Sequence, residues 1–152
     1  MFSKKTFLFV FPFFLLTKIF ALPDLTLTSI TMNKPSIIRG DYLIVNATIK
    51  NIGNQTAAAS YAAVYIENIK FARVATKQLA PNETMAIQYV CPIPESATSG
   101  QHIVEVTADI GNLIAENNEN NNQFCPGTTT CQKVTVLTDT YLADRKLPCP
   151  II

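Results

Sequence analysis

The chain contains no tryptophan and only one histidine, His102. A single imidazole cannot build a multi-histidine metal centre, and Ser/His/Asp chemistry would need this one ring in a cleft. His102 sits where an alternating run begins, so it reads as a strand-end side chain at the rim of a sheet. Glycine is scarce, with five in 152 residues, and no glycine-rich loop is spaced to cradle a phosphate. Lys and Arg form no stripe or cluster, which argues against a nucleic-acid partner. The four cysteines, Cys91, Cys125, Cys131 and Cys149, include no CxxC pair and no neighbouring histidine, so zinc is disfavoured. Glu105 faces outward from a strand with no second carboxylate at the spacing a glycosidase pair needs.

What the chain does have begins at its N-terminus. "MFSKKTFLFVFPFFLLTKIFALPDL" places Lys4 and Lys5 before an apolar run from Phe7 to Leu16, and Ala21 is a small residue suited to cleavage. This is the pattern of a secretory signal peptide over residues 1–21. Lys18 interrupts the apolar run well short of the roughly 20 residues of a spanning helix. The expectation is an exported protein, periplasmic or secreted, with no membrane span in the mature form. Without Lys4, Lys5 and Lys18, nine of the twelve basic side chains remain against eleven acidic ones, a net of about −2. All four cysteines lie in the exported part, where an even number favours disulfides.

Residues 22–137 carry a period of two, not 3.6. "LTLTSI" alternates. "DYLIVNATIKN" puts Leu43, Val45, Ala47 and Ile49 on one face and Asn46, Thr48 and Lys50 on the other. Further alternating runs follow at 61–68, over "KFARVAT", at 84–91 with Met85, Ile87 and Tyr89 inward, at 101–110 with Val104, Val106 and Ala108 inward, and at 132–137. About seven short strands joined by Pro, Gly and Asn turns predict an all-β, antiparallel, immunoglobulin-like sandwich. The alternation is lost in residues 138–152, where Pro148 and Pro150 predict an irregular tail. "NAT", "NQT" and "NET", at Asn46, Asn54 and Asn82, match the glycosylation pattern. They read as chance occurrences in an Asn/Thr-rich β protein.

"IAENNENNNQF" (114–124) is the most unusual stretch. Disorder is a poor reading, because Leu113, Ile114 and Ala115 give the segment an apolar foot. Architecture is the preferred one. Asn and acidic side chains bond nearby backbone groups that have no ladder partner, and Glu119, Asn121 and Asn122 are the expected loop-holding residues. The alternative is calcium, with Asp109, Glu116 and Glu119 supplying hard oxygens. No other cofactor is expected.

Taken in order, "PDLTLTSI", "VNATIKNIGNQTA", "AVYIEN", "IAENNENNN" and "KVTVL" resemble the CARDB family, the cell-adhesion-related domain of bacteria. The resemblance spans Pro23 to Leu137 and departs from the family pattern at the inserted "QFCPGTTTC". It implies an immunoglobulin-like sandwich used as a spacer or binding module and does not imply an enzyme. In that strand order, Cys125 and Cys131 share one end of the sandwich, while Cys91 and the tail bearing Cys149 share the other. The expected bridges are Cys125–Cys131 and Cys91–Cys149. The functional expectation is a non-enzymatic module that recognises a protein or glycan at the cell envelope. A small secreted hydrolase or an enzyme inhibitor is the alternative.

Overall fold

The computed structural model describes residues 21–67, 69–124 and 131–138. The proposed signal peptide up to residue 20, Cys125, Cys149 and the tail from residue 139 lie outside them. Among the described residues nine strands are formed: β1 (Leu25–Met32), β2 (Ser36–Ile37), β3 (Tyr42–Asn51), β4 (Ser60–Ile66), β5 (Ile69–Thr76), β6 (Thr84–Pro92), β7 (Gly100–Thr107), β8 (Gln123–Phe124) and β9 (Gln132–Val136). The seven longer ones fall where the alternation places them. The two dipeptide strands, β2 and β8, are too short to leave a periodic trace.

The strands form two sheets, one ordered β1-β3-β6 and one ordered β2-β9-β7-β4-β5, with β8 added beside β7. Pairing is antiparallel except between β2 and β9. The fold is an immunoglobulin-like β-sandwich. Its interior takes Leu25, Leu27, Leu43, Val45, Ile49, Ile87 and Tyr89 from the smaller sheet, and Val64, Val104, Val106 and Val134 from the larger. Each fully buried aliphatic stabilises the fold by about 1.5–3 kcal/mol.

Two sequence expectations need correction. Of the apolar foot, only Ile114 packs into the core. Leu113 is 62% exposed, and Ala115 faces solvent as well. The expected Cys91–Cys149 bridge is also absent. Cys91 is a free thiol and fully buried. The alternation that turns Ile87 and Tyr89 inward turns Cys91 inward too, opposite Leu43 on β3, so its sulfur enters the dry space between the sheets and does not reach the rim. Burial pushes this thiol up to about 11. Cys131 is not a free thiol.

Candidate functional site

Two regions at opposite ends of the sandwich gather the polar side chains. At the first end, three segments remote in sequence meet. β3 continues its inward face one step past Ile49, which carries Asn51 into full burial. An uncompensated buried amide is costly, yet this one is satisfied at every atom. Its Oδ1 accepts from the backbone N–H of Asp24 (3.1 Å) and of Gly53 (3.0 Å). Its Nδ2 donates to the carbonyls of Gln55 (2.7 Å) and Leu79 (3.0 Å). The 22–24 segment runs against 52–54, with Ile52 N donating to Asp24 O (2.7 Å).

From the other side the Asn-rich loop grips the same segment. Asn117 donates from its backbone to Pro23 O (2.9 Å) and from Nδ2 to Leu22 O (3.0 Å). Asn121 Nδ2 donates to Asp24 Oδ1 (2.7 Å), and Thr26 Oγ1 donates to Asn121 O (3.2 Å). Glu119 Oε1 accepts from Glu116 N (2.9 Å), and Asn122 Nδ2 donates to Glu116 Oε1 (3.0 Å). Glu116 Oε2 accepts from Leu25 N, the first amide of β1. "PDL", "KNIG" and "IAENNENNN" are therefore parts of one clasp that fastens β1 to the sandwich.

Asp109, Glu116 and Glu119 all lie at this end but have different tasks. Asp109 leaves β7 in a left-handed conformation (φ 42°), is 1% exposed, and accepts from Ile114 N at its Oδ2 (2.9 Å). Glu116 has both oxygens engaged within the clasp. Among the described residues, no three His, Cys, Asp or Glu side chains are grouped to hold a metal by themselves.

Burial pushes the Glu116 carboxyl up to about 7, against the opposing pull of the Leu25 and Asn122 hydrogen bonds, with the charges of Asp109 and Glu119 adding to the rise. From about pH 4.5 to 7 the folded chain thus holds a proton that the unfolded chain has lost. The stability this group contributes is complete below about pH 4.5 and falls as pH rises through 7. In calcium-free buffer, urea midpoints should drop by the equivalent of about 2 kcal/mol across this window, and Glu116→Gln should flatten the profile. An unchanged slope in the Gln variant would assign the pH dependence to other groups.

At the opposite end a cleft of about 500 Å³ opens between the β4–β5 turn and the β6–β7 loop. Ile66, Phe71, Ile93, Pro94, Ala97 and Val136 give it an apolar floor, and Glu67, Ser96, Ser99, Gln101 and His102 line it with polar groups. The loop wall is stapled by Arg39, whose Nε donates to Ala97 O (2.8 Å) and whose guanidinium reaches Ser99 Oγ (3.2 Å). His102 Nε2 donates to Thr98 O (2.8 Å), which leaves Nδ1 facing Glu67 Oε1 at 3.8 Å. Glu67 is held at φ 49° with its carboxylate accepting from Ile103 N (3.0 Å). A glutamate in the left-handed region is sparsely populated and needs surrounding bonds to hold it.

Sequence reasoning placed His102 at a rim but missed Asn51, Glu67 and the cleft. Asn51 carried a legible signal, since strict alternation from Leu43 lands on it. The cleft had none, because its walls come from residues 66–71 and 93–102, which only the folded sandwich brings together.

The CARDB family model matches residues 22–125. Among solved structures, the crystal structure of the CARDB domain of a Pyrococcus furiosus protein, in complex with di-metal ions, shares 23% identity. That match covers 77% of this chain and 96% of that one, with a TM-score of 0.62. A domain of a protein described as a cell-surface protein, from Methanosarcina acetivorans, shares 21% identity over 76% of this chain and 93% of that one, with a TM-score of 0.58. A β-glucosidase from Listeria innocua shares 16% identity over 75% of this chain but 16% of the enzyme, with a TM-score of 0.51. These likenesses are of fold alone. No curated protein matches the chain at a significant level.

Proposed function

The chain belongs to the CARDB family, and from that premise we propose that it is an exported, non-enzymatic module that recognises a protein or glycan at the cell envelope through the cleft beside His102. The observation that carries this reading is the cleft itself. An apolar floor with a few fixed polar groups is the usual make-up of a recognition site, and loops on a rigid sandwich are where binding surfaces are built. Glu67, Ser96, Ser99 and Gln101 offer the hydrogen-bonding groups that a hydroxyl-rich or peptide ligand requires. Catalysis is disfavoured because the one imidazole spends Nε2 on a backbone carbonyl. Export is supported by the Lys4–Lys5 pair, the apolar run to Leu16 and Ala21. N-terminal sequencing of recovered protein should begin near Leu22.

The functional test is binding to arrayed surface glycans and to purified envelope proteins. Ser96 is an exposed lining residue, so Ser96→Trp should fill the cleft mouth and abolish binding while leaving the melting temperature within a degree or so, as for most surface substitutions. A ligand bound equally by Ser96→Trp and the parent chain would move the recognition surface elsewhere.

A further inference from the structure

The cleft beside His102 holds two hydrogen-bond acceptors that face each other with no donor between them. His102 Nε2 lies 2.8 Å from the carbonyl oxygen of Thr98, so in the neutral ring Nε2 carries the proton and Nδ1 the lone pair. Nδ1 stands 3.8 Å from Glu67 Oε1, longer than a hydrogen bond. It has no other partner among the described residues, yet it is not sealed from solvent. The Glu67 side chain is 45% exposed, and both residues line the cleft. The carboxylate is fixed in place. Its Oε1 accepts from Ile103 N (3.0 Å) and the Glu67 N–H donates to Ile103 O (3.1 Å), which together hold the residue at φ 49°. Strained residues of this kind gather at ligand clamps. Glu67 is the one carboxylate of the described lining, which contains no Lys or Arg. Arg39 is outside that lining, with its guanidinium on Ser99 Oγ.

We infer that the cleft takes a lysine side chain of a protein partner, its ammonium seated between the Glu67 carboxylate and His102 Nδ1 and its stem on the apolar floor; this rests on the reading of the cleft as a recognition site. An ammonium is a compact charge with three rotatable donors, so it can give one hydrogen to each acceptor and neutralise Glu67 as well. A sugar hydroxyl has a single hydrogen to donate and no charge, so it satisfies one acceptor and leaves the other. A guanidinium presents a rigid fork matched to both oxygens of one carboxylate, and here Oε1 is already shared with Ile103 N. The methylene stem of lysine lies well against apolar surface, which Ile66, Phe71 and Ile93 supply.

The test is an amide NMR titration of the protein with four blocked amino acids, the Nα-acetyl methylamides of lysine, norleucine, arginine and glutamate. It is run at constant ionic strength and at about pH 8, where an ordinary imidazole is neutral. The lysine probe should shift the amides of Glu67, Ala97, Gln101 and His102 to saturation, with an affinity on the order of millimolar for a ligand of this size. Norleucine, which has the stem without the charge, should bind at least about tenfold more weakly. Glu67→Gln keeps an oxygen to accept from Ile103 N. It should bring lysine down to the norleucine level and leave norleucine binding unchanged. The comparison of probes on the parent chain decides the matter even if that variant does not fold. Norleucine or the glutamate probe binding as tightly as lysine would keep the cleft as a recognition site and overturn the ammonium, leaving only water between Glu67 and His102. Arginine binding as tightly as lysine would overturn the choice of ammonium over guanidinium. No shift of the cleft amides with any probe would overturn the recognition site and the lysine reading with it.

Discussion

Asn51→Leu should destabilise the domain by about 4 kcal/mol, a large share of the 5–15 kcal/mol typical of a folded domain. Leucine is bulkier, but it keeps the branched outline of asparagine and continues the apolar face of β3, so a side-chain view of the core would rank the change as mild. The cost lies in the backbone groups it abandons. The N–H groups of Asp24 and Gly53 and the carbonyls of Gln55 and Leu79 all lose their partner. The Leu79 bond is fully buried and the other three partly so, and each buried polar group left unpaired costs about 1–3 kcal/mol.

Asn51→Asp is the sharper control. It keeps an acceptor for Asp24 and Gly53 but turns a second oxygen onto two carbonyls, so the carboxyl must hold a proton to fit. Its folded value would then lie above the ordinary carboxylate range. Stability would be greatest in acid and would be lost as pH rises through that folded value. Chemical denaturation of the three proteins at acid and neutral pH checks both statements. A Leu variant within about 0.5 kcal/mol of the parent, as for an ordinary surface change, would mean that water replaces the amide at no cost.

What the sequence disclosed follows from the range over which its signals act. Alternation is local, and it located the seven longer strands and the inward faces from Leu43 to Ile49 and from Ile87 to Tyr89. It equally turned Cys91 inward, whereas the expected bridge to Cys149 was drawn from the end of the sandwich the two cysteines share and took no account of that face. The Asn-rich loop was legible as a segment needing internal partners. Its most important partners are not internal, however. They are the carbonyls of Leu22 and Pro23 and the carboxylate of Asp24, more than 90 residues earlier. No spacing rule joins residues 22 and 117, and only closure of the sandwich brings them together. The cleft is illegible for the same reason.

The clasp also explains why a glycine stands two residues after Asn51. A Cβ built on Gly53 would lie 2.5 Å from the carbonyl oxygen of Leu22 and 2.6 Å from both the carbonyl carbon of Pro23 and the nitrogen of Asp24. Those distances are well inside van der Waals contact, and all three atoms are backbone, so no rotamer change can relieve them. The 22–24 segment cannot simply step away, because Asn117 and Asn121 hold it from the far side. Gly53→Ala should therefore cost about 3 kcal/mol, the upper range for overpacking a filled space. The loss should appear first as exposure of residues 22–26 to proteases and to hydrogen exchange. A double-mutant cycle gives the decisive reading. If the alanine acts by forcing the segment out, the Asn117 bonds are already broken in that variant, and adding Asn117→Ala should cost almost nothing further. In the parent chain the same change should cost about 1 kcal/mol. Strictly additive losses would place the strain of Gly53→Ala outside the clasp and disconnect the "KNIG" glycine from the "PDL" segment it faces.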